Sequence, residues 1–333
     1  MIDQIITKIT EIKESDKSIN ELILNENKEF GSNEMLLFLK PELVNLESKK
    51  LHEVLNMILG KLESFKIQIH AIRGINAAFL EEFSIMAQHY GVINKLAQNP
   101  QQNLTENAKV KFKEKTGKEI ADVTLLGGLE FIKNIKGFSP FSLDILWQNS
   151  ENFKLAGGTY CEELKIDGKS IYVVNGFHPR QLTHFTDSGN AILAFHVSTE
   201  NDWSNCRQEL IGSTDPSKAS KSSIRGTLLE NKSVYGLAEV SQGMNGIHLS
   251  AGPIEGIIEL TRYMGTNKSE DSINNITEFD FGKTLKESFT VDALKKIITN
   301  SDIEISENTF ESVFDLTEEK NTKDSLEILS KLL

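Results

Sequence analysis

Seven histidines are present, and none forms a spaced pair on one helix with a carboxylate between, so the zinc-hydrolase pattern has no support. His248 differs from the rest in its surroundings. Asn245 precedes it by three residues, Ser250 follows by two and Glu259 by eleven, on a helix that Pro253 would open. A histidine acting as a nucleophile needs one ring nitrogen available and the other hydrogen-bonded to an acceptor that fixes its tautomer. Glu259 is the candidate acceptor. Arginine is scarce: the chain has only five, Arg73, Arg180, Arg207, Arg225 and Arg262. Three of these lie between Arg180 and Arg225, and a guanidinium suits planar, bidentate recognition of phosphate oxygens. Taken singly, each residue also has an ordinary reading. Lys40 could be the solvated end of a strand, Arg225 a surface ion-pair partner, and Glu259 one half of an exposed helix face with Glu255.

The elements that must position these groups follow from the apolar pattern. Met35 to Leu39 is a short apolar run, and Pro41 forbids a continuing central strand, so a strand ends at Lys40. Leu51, Val54, Leu55, Ile58 and Leu62 have helical spacing, Phe65 to Ile72 alternates as a half-buried strand does, and Phe79, Leu80, Phe83, Met86 and Tyr90 make a second helical stripe. The order is β-α-β-α. From Gly91 to about Asn175 the character changes, with polar Gln98–Asn103 and a Lys-rich stretch from Lys109 to Lys118, as inserted material would. Within it, Asp167-Gly168 between β-formers predicts a hairpin with a two-residue turn. Gly127-Gly128 and Gly157-Gly158 read as turns, because neither has the Lys-Ser/Thr partner of a phosphate loop. The pattern resumes with a buried strand over Ala191–Val197, a short helix over Ser204–Ile211, an ordered polar loop to Ser223, and the helix carrying Ile254, Ile257, Ile258 and Thr261.

Five motifs in this order resemble the nucleoside diphosphate kinase family. They are Leu39-Lys40-Pro41-Glu42; Ser188-Gly189; Ile211-Gly-Ser-Thr-Asp-Pro216; Ser223-Ile-Arg-Gly226; and Asn245-Gly-Ile-His-Leu-Ser250 with Glu259. The resemblance covers 33–92 and 176–265, enough for that family's core. It implies an α+β fold, a ferredoxin-like four-stranded antiparallel sheet covered by helices. Outside it would lie an N-terminal helical segment (1–32), an inserted subdomain (93–175) and an acidic helical C-terminal extension (266–333). The implied reaction is ping-pong, the γ-phosphate of a nucleoside triphosphate passing to His248 and then to a second nucleoside diphosphate. Lys40, Arg207 and Arg225 would bind phosphate oxygens, Thr214 would donate to phosphate, and Asn245 with Lys40 would meet the ribose. Glu259 would hold the histidine through the Ser250 neighbourhood. Phe177 and Leu182 would pack on the base, and Tyr90 is the match for the family's active-site tyrosine. Mg2+ would bridge the nucleotide phosphates while keeping several waters, with no protein ligand set of its own.

The chain departs from the family at identifiable places. Leu249-Ser250-Ala251 stands where Gly-Ser-Asp is usual, Lys-Pro-Glu-Leu replaces Lys-Pro-Asp-Gly, and Arg207 is one residue further from Thr214 than the family's arginine, with Gln208 in its place. The stretch from Gly226 to Met244, the oligomer-forming loop of the family, is longer. These departures keep open an alternative, a nucleotide-binding or protein-interaction module with impaired turnover. A homo-oligomer is a further expectation. Composition narrows the remaining classes. The formal net charge of −12 argues against general nucleic-acid binding, which draws affinity from clustered Lys and Arg. Much of that charge is segregated: Thr266 to Leu333 carries 15 Asp and Glu against 8 Lys, a net of −7. No apolar run is long enough for a membrane span, the first twenty residues lack a signal-peptide h-region, and Cys161 and Cys206 make no metal or disulfide framework; a cytoplasmic protein with buried thiols is expected.

Overall fold

The computed structural model describes residues 1–26, 29–266 and 272–333, so residues 27–28 of the expected N-terminal segment and 267–271 of the extension lie outside the described residues. The chain forms two compact units, Met1–Phe79 with Ser188–Leu333, and Leu80–Asp187. The second unit begins and ends about a dozen residues outside the 93–175 expected of the insertion. Eleven strands occur in chain order among the described residues: β1 (Asn20–Asn25), β2 (Asn33–Leu39), β3 (Gln68–Asn76), β4 (Leu125–Gly127), β5 (Phe153–Ala156), β6 (Thr159–Ile166), β7 (Lys169–Val174), β8 (Ala191–Thr199), β9 (Ile247–Leu249), β10 (Asp302–Ser306) and β11 (Thr309–Ser312).

In the first unit the sheet order is β1-β3-β8-β2-β9, antiparallel throughout. The strands expected over 35–39, 65–72 and 191–197 correspond to β2, β3 and β8, β9 completes four, and the correction to a four-stranded sheet is a fifth strand. The segment expected to be helical holds the helix Ile2–Lys13 and then β1, which pairs with β3 across a register shift between Leu22 and Leu24. Every residue of β2 and of β8 is buried, as near-continuous apolar strands in the middle of a sheet covered on both faces must be. One face presents Met35, Leu37, Leu39, Leu193, Phe195 and Val197 to Ile5, Ile9 and Ile12 of the first helix and Leu51, Val54, Leu55, Ile58 and Leu62 of the helix Ser48–Ser64. Burial of each such side chain contributes roughly 1.5–3 kcal/mol. The helix Pro253–Tyr263 packs on β2. The C-terminal extension, expected to be helical, has helices Asp280–Ser288, Val291–Ile298 and Thr322–Leu332 but also the β10–β11 hairpin.

The second unit has a mixed sheet of order β4-β7-β6-β5, with β4 parallel to β7 and the other pairs antiparallel. The Asp-Gly turn joins β6 to β7 with both residues at positive φ, 48° and 73°, the conformation that a type I′ turn requires. Each sheet face covers its own small core, one around Phe112, Leu155 and Tyr172, the other around Phe131, Leu143 and Val173. No helix among the described residues is long and apolar enough to cross a membrane.

Candidate functional site

His248 sits on the three-residue edge strand β9, where its register partner on β2 is Phe38. The two rings stack at 4.6 Å between centroids with 25° between planes. The helix Pro253–Tyr263 brings Glu259 to the other side, both carboxylate oxygens 3.0 Å from His248 Nε2. The Glu259 side chain is only 2% exposed against 18% for His248, so the carboxylate is sequestered while the imidazole is reached by solvent. Ser250 Oγ lies 2.6 Å from Glu259 Oε2 and accepts from Leu36 N at 3.1 Å. Trp203, fully buried, donates from Nε1 to the Ser250 carbonyl at 2.8 Å. With Nε2 bonded to the carboxylate, the neutral imidazole carries its proton there and its lone pair on Nδ1.

A cavity of about 600 Å³ lies beside this strand, and Arg207, Thr214, Arg225 and Leu249 are among the residues lining it. Arg225 is the second residue of the helix Ile224–Glu230, whose N-cap Ser223 accepts from Gly226 N at 3.1 Å. Its guanidinium donates to the carbonyls of Gly212 and Ile247, both at 2.8 Å, which ties the polar loop to β9. Gly226 is required there because a Cβ would stand 2.0 Å from the Ser220 carbonyl oxygen. Arg207 lies on a π-helical turn, Cys206–Ile211, and donates from Nη1 to the Leu249 carbonyl at 3.3 Å. The extra residue separating Arg207 from Thr214 therefore does not remove it from the cavity, and Gln208 lines the wall too.

Lys40 follows β2, and Pro41 opens the short helix Pro41–Val44. Its backbone N donates to Gly246 O at 2.9 Å, and Glu42 accepts from Gly246 N at 2.8 Å. Gly246 has φ of 80°, and a Cβ would approach Leu228 to 2.7 Å, so the Asn245–Gly246 bend is tight for two independent reasons. Burial and then the nearby Arg225 charge bring the Lys40 ammonium down to about 8, against the pull of Glu42. Asn245, buried, donates from Nδ2 to the carbonyls of Thr214 and Gln242, both at 3.1 Å, while its Oδ1 has no hydrogen-bond partner among the described residues. Half-buried Glu255, one turn before Glu259, has its carboxyl pushed up to about 8 by burial and by the Glu259 charge, Arg207 opposing.

Of the residues expected at a site, Lys40, Arg207, Thr214, Arg225, Asn245, His248, Ser250 and Glu259 belong to the first unit. Hydrogen bonds link them in sequence through Gly246, Gly212, Ile247 and Leu249. Tyr90, Phe177 and Leu182 belong to the second unit. There Tyr90 lies edge-on to His178 with centroids 6.1 Å apart, and Phe177 packs against Trp147 at 5.8 Å and Tyr160 at 6.3 Å. Leu182 is half-buried on the helix His178–Thr186. Sequence reasoning passed over Trp203, Phe38 and the acidic pair Glu318 and Glu319. The first two carry only the weak signal of a large aromatic within a strand or helix start, and the acidic pair carries none in its own neighbourhood.

No protein-family model matches the chain, and no curated protein matches it. Among solved structures, 24 chains match. One is the apo nucleoside diphosphate kinase of Encephalitozoon cuniculi in its cubic crystal form, 13% identical, covering 72% of this chain and 94% of that one with a TM-score of 0.35.

Proposed function

We propose that the first unit is a ferredoxin-like phosphotransferase domain that moves the γ-phosphate of a nucleoside triphosphate to a nucleoside diphosphate through His248. One observation carries the reading: an imidazole whose Nε2 is bonded 3.0 Å from a sequestered carboxylate, beside a cavity walled by Arg207, Thr214 and Arg225. The order β3-β8-β2-β9, all antiparallel, is what a βαββαβ ferredoxin-like core has, with β1 added at its edge. In the forward step the Nδ1 lone pair attacks the γ-phosphorus, the bond to the β–γ bridging oxygen breaks, and the diphosphate leaves with that electron pair. The imidazolium character this creates is offset by Glu259, which Ser250 holds in place. Lys40, Arg207 and Arg225 meet the charge on the transferring and leaving oxygens, where fixed cations act without reorganising. The second half-reaction runs the same step backwards onto another diphosphate. Asn245 Oδ1, a buried acceptor lacking a partner among the described residues, suits a sugar hydroxyl.

Magnesium fits as an ion carried in on the phosphates. The Glu209 carboxylate and the Ser213 and Thr214 hydroxyls on the cavity wall are hard oxygen donors of the type it takes while retaining water. Its chemistry would be to neutralise phosphate charge.

Wild type and His248→Ala are incubated with γ-labelled ATP and magnesium, and a different nucleoside diphosphate is then added. Acid-labile label on wild type alone, passing to the added diphosphate, is the expected result. The impaired-module reading is favoured by Leu249 on the cavity wall and by the acidic partners of Arg207 described next. Nucleotide binding without label on wild type would establish that reading in place of the transferase.

A further inference from the structure

The C-terminal extension returns to the cavity. Glu319 lines it, and the Glu319 backbone N donates to Ala251 O at 2.8 Å, two residues past the Leu249 wall. Space has been cleared for this approach: a Cβ on Gly252 would stand 2.3 Å from Thr317 O and 3.1 Å from Glu318 Cα. Asn321 fixes the next turn, its Oδ1 accepting from Trp203 N at 2.9 Å and from Asn33 Nδ2 at 3.0 Å. Between these anchors Glu319 adopts φ of 54°, a left-handed conformation that costs a non-glycine residue free energy. Held in this way, the two carboxylates reach the guanidinium of Arg207. Glu318 Oε1 lies 3.5 Å from Nη2 and Glu319 Oε1 3.6 Å from Nε, while Gln208 donates to Glu319 Oε2 at 2.8 Å.

A carboxylate presents a guanidinium with the same planar pair of oxygens that a phosphate edge does. We propose that Glu318 and Glu319 are a built-in competitor for the anion that Arg207 would otherwise bind, and so set which anions the cavity accepts. The side chains are 50% and 32% exposed against 25% for Arg207, so the pairs are solvated and exchangeable rather than locked. An anion reaching Arg207 alone must displace two carboxylates. A polyphosphate that also engages Arg225 and Thr214 has further contacts with which to prevail. The cavity would thus turn away singly charged anions and favour di- and triphosphates. The nature of the anion, a nucleotide polyphosphate, rests on the function proposed above; the competition does not.

The test titrates the full chain with pyrophosphate and separately with ADP, by calorimetry, in wild type, in Glu318→Gln with Glu319→Gln, in Arg207→Ala, and in the three changes combined. Glutamine keeps the shape and can still accept from Gln208. The charge-removed variant should bind pyrophosphate about three- to tenfold more tightly, the range expected for loss of solvated competing pairs. With Arg207 already removed, the same changes should alter affinity less than about twofold. Glu318→Gln alone, at the more exposed position, should shift affinity in the same direction and covers the case in which the double variant folds poorly. Unchanged or weaker pyrophosphate binding would overturn the proposal, and so would an equal gain without Arg207, since that gain would be long-range charge. Pyrophosphate behaving as expected while ADP binds to no variant would sink the nucleotide reading and leave the competitor standing.

Discussion

Each unit holds a histidine by hydrogen bonds, and the partners differ in kind. In the second unit His178 is fully buried, with Nδ1 2.9 Å from Gln181 Oε1 and Nε2 3.1 Å from Asn94 Oδ1. Neutral side-chain amides face both its nitrogens, and burial pushes its imidazole below the usual range with the Gln181 hydrogen bond opposing, as suits a structural post. In the first unit His248 has a carboxylate on Nε2, a stacked Phe38, and two guanidinium groups on the wall of the adjacent cavity. A carboxylate supports the positive charge that an imidazole gains when it takes a phosphoryl group; two neutral amides orient a ring but supply no counter-charge. His178 is fully buried and the His248 side chain 18% exposed, yet exposure alone would not make either ring a nucleophile. The charge of the partner separates them.

The largest effect that could break this contrast comes from exchanging the partner's charge. Glu259→Gln keeps an acceptor near Nε2 and removes the charge, and should slow appearance of label on His248 by about a hundredfold, the lower part of what proton-handling groups contribute. His178→Ala should leave the labelling rate within about twofold while lowering stability by about 1–3 kcal/mol in denaturant melts, the cost of buried amides losing a partner. The reverse pattern would overturn the assignment of roles.

A smaller effect is expected from pH. Lys40 has its folded-state value lowered to about 8, so its charge is present below that pH and lost above it. Glu255, raised to about 8, is neutral below and negative above. Both changes disfavour an anion as pH rises, so ADP affinity should fall about tenfold or more between pH 7 and 9.5. Lys40→Arg should flatten most of that profile, and Glu255→Gln a smaller part. A profile rising with pH would contradict both assignments. For stability the Lys40 sign is opposite: the unfolded chain binds the proton more tightly, so this group adds stability as pH rises from about 8 toward the usual lysine value. The smallest effect is expected at Phe38. Phe38→Leu removes the stacked face from His248 and should reduce labelling about two- to tenfold, the range of an aromatic pair beyond its burial.

Much of the first unit was legible because its signals are local. The buried β2 run ending at Pro41, the helical stripe from Leu51 to Leu62, and the eleven-residue spacing that places Glu259 against His248 all depend on period and turn chemistry. The Asp167-Gly168 turn was legible for the same reason. β1 was not, because Asn20–Asn25 mixes charged and apolar residues and becomes a strand only by pairing with β3. Extent misled as well: the helical stripe from Phe79 to Tyr90 gave no sign that Leu80 opens a separate compact unit. The acidic partners of Arg207 were invisible because Gln208 and Glu319 meet across 111 residues of chain.

The most direct test is where the phosphoryl group goes. Full-length protein is treated with ATP and magnesium, denatured in alkali to preserve phosphoramidate bonds, and examined by 31P NMR and by mass mapping. With Glu259 holding Nε2, one phosphoryl group is expected, on Nδ1 of His248. Phosphate on Nε2, on another residue, or undiminished in His248→Ala would contradict this expectation.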